Sequence, residues 1–301
     1  MDPIEQMLRE QPEFQGIVVW ERIKNRYSRH PKYVLQQNGR TSIVHVAPRE
    51  TFERKRAEFT WLQRMKQEGL PVPEPFAVKQ LPSICYVWYG FLSGQTVKKT
   101  LPLLQETAYG MGQEAGRLLR RLHQYAAPAD VNPWYGRCLD KHQRYVRLYE
   151  QGPIRLKADE AILSLIKERR HLVKGRPNHF QHDDFHLDNL ITDGSNLTGV
   201  IDFSNYDFGD PWHDFVKLGL FQVADSRPFA VGQIDGYFDG DVPDVFWEVY
   251  AVYLAMALFS SLVWTQRHAP EEIGPMTARL ESILVEHHHF ERARPDWYTS
   301  F

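Results

Sequence analysis

The stretch from Phe180 to Ile191 constrains this chain more than any other part of it. It reads Phe-Gln-His-Asp-Asp-Phe-His-Leu-Asp-Asn-Leu-Ile and sets His182, Asp184 and Asn189 at the spacing H-x-D-x4-N. An aspartate and an asparagine five residues apart on one loop offer a carboxylate and a neutral oxygen ligand. Directly afterwards Leu190-Ile191 is β-prone, Asp193-Gly194-Ser195-Asn196 is turn chemistry, and Leu197 to Ile201 is β-prone again. That order predicts a hairpin, which returns Asp202 of Ile201-Asp202-Phe203 beside Asn189. A literal D-F-G also occurs at Asp207-Phe208-Gly209, but it lies past the hairpin in a polar loop leading to Asp210-Pro211. Spacing therefore favours Asp202 as the second carboxylate. Phosphoryl transfer depends on positioning and charge neutralisation more than on covalent help. The set suits it: Asp184 as catalytic base or orienting group for an attacking hydroxyl, and Asn189 with Asp202 as oxygen ligands of Mg2+.

The rest of the composition narrows the class. At 301 residues one or two domains are expected. A net charge of -2 argues against a nucleic-acid binder that lives on phosphate neutralisation. Two cysteines, Cys85 and Cys138, are too few for a disulfide scaffold or a four-Cys zinc site, and both read as buried apolar residues. Met1-Asp2-Pro3-Ile4-Glu5 has neither the basic nor the apolar region of a signal peptide. The apolar run Tyr250 to Phe259, continuing to Trp264, is interrupted by Ser260 and Ser261 and reads as a buried helix rather than a membrane span. A cytoplasmic protein without membrane contact is expected.

Along the chain, Val18 to Trp20, Tyr33 to Leu35 and Ser42 to Val46 are β-prone, with Asn38-Gly39 as a hairpin signal. A helix is expected from Glu53 to Lys66 with Phe59, Leu62 and Met65 on its apolar face. Pro71, Pro73 and Pro75 mark an extended connector, and Ile84 to Phe91 is an aromatic-rich strand. Helices follow over Leu104 to Tyr125 and Asp159 to Val173, and most of the chain beyond Asp202 is helical apart from a Gly- and Asp-rich loop at Gly232 to Pro243. The fold class is α+β, a small antiparallel β lobe with one helix over residues 1–93 and a larger, mainly helical lobe over 94–301.

The order of His182-x-Asp184-x4-Asn189, Ile201-Asp202-Phe203 and Gly209-Asp210-Pro211-x-x-Asp214, with Leu122-His123 upstream, resembles the aminoglycoside phosphotransferase and choline kinase-like family. Gly232 to Gly240 is similar to a branch of bacterial members known only broadly as aminoglycoside phosphotransferase-like. The resemblance spans nearly the whole chain. It implies a bilobal protein-kinase-like fold with ATP or GTP between the lobes, and a hinge near Tyr89 to Ser93 that puts Tyr89 and Phe91 beside the base. Laying Glu58 on the family's helix glutamate puts His45 where a strand Lys or Arg normally meets the α- and β-phosphates. The loop Asn25 to Arg29 has no glycine, though Ser28 has a hydroxyl to offer phosphate. Asp183 stands where the family usually has glycine.

Plainer readings stand beside these. His182 supports the loop backbone, and Asp210 caps a helix that starts at Pro211. His186 is a site residue or a satisfied loop histidine. Asp207, Asp235 and Asp239 are turn and cap residues, or an acidic wall for an amino-bearing acceptor such as an aminoglycoside. His287-His288-His289 reads as a solvated tract. The expected partners are a nucleotide triphosphate and a small hydroxyl-bearing substrate. The competing functions are a catalytically impaired kinase-like nucleotide-binding protein and, on the cluster His182, Asp183, Asp184, His186 and Asp188, a metallohydrolase.

Overall fold

Asn38-Gly39 is the tightest local signal in the chain, and both residues take positive φ, 50° and 75°. That is what a two-residue hairpin turn of matching twist requires. The computed structural model describes residues 2–23, 31–103 and 107–299. They fall into two compact units, Met1–Leu92 and Ser93–Phe301.

In the first unit, helix α1 (Pro3–Arg9) precedes strands β1 (Val19–Ile23), β2 (Lys32–Gln37) and β3 (Arg40–Pro48). Helix α2 (Phe52–Gln67) and strands β4 (Pro75–Gln80) and β5 (Ile84–Gly90) complete it. The five strands form one antiparallel sheet in the order β1-β2-β3-β5-β4. Alternation along β3 and β5 sends Val44, Val46, Ile84 and Tyr86 into a core with Leu8, Phe14, Ile17, Tyr33 and Leu35. His45, Cys85 and Val87 point to the opposite face. The strand β4 begins at Pro75, which sequence reading leaves in the connector. Proline is compatible with the first residue of an edge strand, where its missing N–H is not needed. The buried residues of α2 are Lys55, Glu58, Leu62 and Met65, one turn more than the expected stripe, and Phe59 is only half-buried.

The second unit carries two small sheets and the remaining helices. Strands β6 (Gln95–Thr96), β8 (Leu190–Thr192) and β9 (Leu197–Val200) form one sheet; β7 (His179–Gln181) and β10 (Asp207–Gly209) form the other. The helices are α3 (Val97–Thr100), α4 (Ala108–Leu122), α5 (Trp134–Glu150), α6 (Asp159–Arg169), α7 (Val223–Asp225), α8 (Arg227–Phe238), α9 (Asp244–His268) and α10 (Ile273–Glu286). Among the described residues α9 is long and apolar enough to cross a membrane, but it is mostly buried and packs against α5, α6 and α10.

The expected loop at Gly232 to Pro243 is a correction. Its first half is helix α8, and its glycines serve packing rather than turning. Added Cβ atoms at Gly232 and Gly236 would overlap the backbone of Tyr109 and Gln113 in α4, and at Gly112 and Gly116 the backbone of Phe229 and Gln233 in α8. Four glycines thus let two helix backbones touch. The histidine tract is a second correction. His287 is 1 % exposed, stacks near Tyr250 and Phe290, and burial pushes its pKa down to about 4.

Gly236→Ala should cost about 1–3 kcal/mol of stability through overpacking. Gly110→Ala on the facing helix α4 meets nothing within 4 Å and should be neutral or stabilising. Denaturant unfolding of both variants checks the pair.

Candidate active site

The H-x-D-x4-N segment lies between β7 and β8, and its backbone is tied down by one carboxylate. Asp214, 1 % exposed, accepts the N–H of His182 and that of Asp183, each at 2.8 Å. His123 donates to the same carboxylate at 3.0 Å through Nε2, and its Nδ1 meets the Tyr237 hydroxyl at 2.9 Å. Two successive N–H groups converge on one anion readily where the chain turns through a left-handed residue. Asp183 is that residue, with φ 56°. This accounts for a position at which the resembling family uses glycine: aspartate is among the few side chains that tolerate the left-handed region. Its carboxylate does not crowd the loop with charge, because Lys141 at 3.7 Å and His213 at 3.5 Å face it. Burial would raise its pKa, but Lys141 and His213 more than reverse that and hold it below the usual carboxylate range.

Asp184 follows, and Lys217 Nζ lies 2.9 Å from its Oδ1. His186 Nε2 lies 3.4 Å from the same oxygen. The N–H of Asp188 donates to His186 Nδ1 at 3.2 Å, which leaves Nε2 facing Asp184. Burial pushes the Asp184 carboxyl up; the His186 hydrogen bond and the Lys217 ammonium overcome this and keep it well below the ordinary range. Lys217 is in turn pushed down by burial, and Asp184 and Asp183 raise it beyond that loss.

The expected hairpin is present as β8 and β9, with Asp193 Oδ1 accepting from Ser195 and Asn196 in its turn. Its far end is closed by Ile201 N donating to Asn189 O at 2.9 Å and by His182 Nε2 donating to Ile201 O at 3.0 Å. Burial holds His182 in the neutral form. It thereby fixes the residue just before Asp202, which takes φ 66°. Asn189 donates its Nδ2 to the backbone and side-chain oxygens of Asp184 at 2.9 and 3.2 Å, which turns its Oδ1 the other way. Asn189 Oδ1 and the Asp202 carboxylate are hard oxygen donors, two in number. They fit Mg2+, which takes one or two protein oxygens and completes its shell with phosphate and water.

The other expected site residues are distributed as follows. Asp210 is fully buried, caps Trp212 N at 3.2 Å, receives Arg176 in a fork at 2.6 and 2.9 Å, and accepts from Tyr253. Asp207 lies in β10 and is gripped by Arg137 at 3.0 and 3.1 Å. Asp235 accepts from the Tyr109 and Tyr298 hydroxyls at 2.7 and 2.6 Å, and Asp239 ends α8 in a surface pair with Arg120. Asp207, Asp235 and Asp239, open in sequence between turn and cap residues and an acidic wall, are thus held by arginines and tyrosines.

In the first unit His45 is 4 % exposed on β3, opposite Lys32 on β2 and Val87 on β5. Glu58 pairs with Lys55 of its own helix at 2.6 Å. Tyr89 is buried in β5; Phe91 is exposed and its N–H donates to Thr41 O at 3.3 Å. Ser28, with the rest of the 24–30 loop, lies outside the described residues. Sequence reasoning missed Lys217, Lys141 and Lys55. Each is a lone lysine whose partner is set by tertiary packing or by burial, and no spacing rule distinguishes it from a solvated one.

Replacing Asp183 by glycine or asparagine should leave stability within about 1 kcal/mol, and by valine should cost about 1–3 kcal/mol. Thermal unfolding of the three variants checks this.

The family model described as the phosphotransferase enzyme family matches residues 19–249. No curated protein matches the sequence. The fold is similar to that of solved aminoglycoside phosphotransferases. One is a thermostable mutant of aminoglycoside phosphotransferase APH(4)-Ia in complex with ADP and hygromycin B, at 16% identity and TM-score 0.65, covering 94% of this chain and 98% of that one. Another is wild-type aminoglycoside 2'-phosphotransferase-IIIa in complex with GDP, at 16% identity and TM-score 0.67, covering 94% of this chain and 97% of that one. A third is the gentamicin complex of APH(2")-IIa, at 16% identity and TM-score 0.65, covering 93% and 96%. With its own family match running over most of its length, the chain belongs to the phosphotransferase enzyme family and has the protein-kinase-like fold.

Proposed function

We propose that this protein is a Mg2+-dependent O-phosphotransferase that moves the γ-phosphoryl group of ATP or GTP to a hydroxyl of a small molecule in the cytoplasm. The observation that carries this reading is the set Asp184, Asn189 and Asp202, held together by the β8–β9 hairpin and by the carboxylate of Asp214. The acceptor oxygen attacks the γ-phosphorus, the bond to the β-phosphate oxygen breaks, and the nucleoside diphosphate leaves. Bound at Asn189 and Asp202, Mg2+ would neutralise charge on the phosphates. Asp184 orients the acceptor hydroxyl and takes its hydrogen bond. A carboxylate held this far below its usual pKa is a weak base. That suits a loose transition state in which the hydroxyl proton is lost late.

The charges bear on the acceptor. An amino-bearing acceptor was expected on Asp207, Asp235 and Asp239, and those carboxylates already have partners. The groups beside Asp184 are Lys217 and His186. We therefore read the acceptor as a hydroxyl compound that does not depend on an acidic wall. ADP and GDP in the structural neighbours support a purine nucleotide donor.

Asp184→Ala and Asp202→Ala should each lower phosphorylation of any acceptor by about 10²–10⁴-fold. Unchanged turnover in both would overturn the assignment.

Because the Asp184 pKa is lowered, the group is ionised above the ordinary aspartate range and loses its charge only as pH falls through its depressed folded value. The profile of kcat/KM between about pH 3.5 and 8 should therefore carry no acid limb from Asp184. Lys217→Met removes one of the groups that depress it, and should bring an acid limb up toward the ordinary carboxylate range.

A further inference from the structure

We infer that Lys55 supplies the cation that binds the donor's phosphates, in place of the strand residue His45; this rests on the phosphotransferase reading above. The buried stripe of α2 runs Lys55, Glu58, Leu62, Met65, so its first two positions are charged where a helix packed on a sheet normally puts apolar side chains. The side chains of Lys55 and Glu58 are 7 % and 3 % exposed, with Nζ 2.6 Å from Oε2. Other cations of the same helix, Arg56 and Arg64, keep 62% and 57% of their side chains in solvent.

A buried ion pair is a poor source of stability, because desolvating both ions offsets most of their attraction. Apolar residues at 55 and 58 would serve the fold as well or better. The pair is intelligible if the ammonium has a polyanion to meet. In nucleotide-dependent phosphoryl transfer a lysine held by a helix glutamate cradles the phosphates. What places that ammonium is the glutamate's carboxylate, not the element from which the lysine grows. Glu58 holds the ammonium of Lys55, and His45, short and buried in mid-strand, supplies no fixed positive charge. Lys32 is the competing candidate, since it lies directly across the β2–β3 ladder from His45. The ion pair of Glu58 among the described residues is nevertheless with Lys55.

Calorimetric titration in Mg2+ with ATP and adenosine, and with GTP and guanosine, tests this. Lys55→Met should weaken triphosphate binding by about tenfold or more and leave nucleoside binding within about twofold. A merely structural role would move both ligands alike. The double variant Lys55→Met/Glu58→Met replaces the pair by apolar volume, so it keeps the interface filled and should show the same selective loss. His45→Gln should change triphosphate affinity little. Wild-type triphosphate affinity in both Lys55 variants, or a selective loss in Lys32→Met instead, would overturn the inference while the phosphotransferase reading stands. A wild-type protein that binds neither nucleosides nor triphosphates would overturn both.

Discussion

The carboxylate of Asp214 is the interaction on which the site depends. A fully buried carboxylate is costly unless each lone pair is met, and here two backbone N–H groups and an imidazole meet it. The same bonds determine where the chain goes next. With the amides of residues 182 and 183 fixed on one anion, the left-handed turn at Asp183 follows, and Asp184 leaves it in a defined direction. The ring of His182 then ties this loop to Ile201, so Asn189 and Asp202 are located by one set of bonds rather than two.

Charge in the site is balanced locally. Asp183 faces Lys141 and His213, Asp184 faces Lys217 and His186, and Asp210 faces Arg176. For Asp183 and Asp184 the pairing keeps the carboxylate ionised in a place from which water is mostly excluded. For Asp184 this has a chemical consequence: the ammonium that keeps it ionised also weakens it as a base, which under the proposed function leaves it an orienting part. For Asp210 the consequence is structural: its oxygens are consumed by a helix cap, an arginine fork and a tyrosine, and none is left to act on a ligand.

Much of this was legible in the sequence because it is written in short-range spacing. His182, Asp184 and Asn189 lie within eight residues, and the β8–β9 hairpin announces itself through Asp193-Gly194. The preference for Asp202 over Asp207 rests on that hairpin, and Asp207 lies in a ladder between β10 and β7. What was not legible depends on contacts between distant segments. Lys217 reads as any lysine in a mixed helical stretch, and Glu58 gives no sign that its partner is three residues back rather than on a strand. Gly232 and Gly236 read as loop residues because a glycine that lets two backbones touch is indistinguishable, in one sequence, from a glycine that turns a chain. Asp235 and Asp239, read either as turn and cap residues or as a ligand-facing wall, lie in and at the end of the helix that those glycines build.

That helix also connects packing to chemistry. His123 is the residue that closes the C-terminus of α4, and Tyr237 lies in the last turn of α8. Their 2.9 Å contact exists only because the four glycines bring the two helix axes close enough for a side-chain nitrogen to reach a hydroxyl across the seam. Pinned on that side by Tyr237, the imidazole can present its other nitrogen to Asp214. A methyl group at Gly116 or Gly236 would therefore do more than strain a helix pair. By spreading α4 from α8 it would loosen His123, leave one lone pair of Asp214 poorly met, and slacken the anchor beneath Asp183 and Asp184. The glycine seam is thus part of how the Asp184 carboxylate is positioned, although none of its glycines touches that carboxylate.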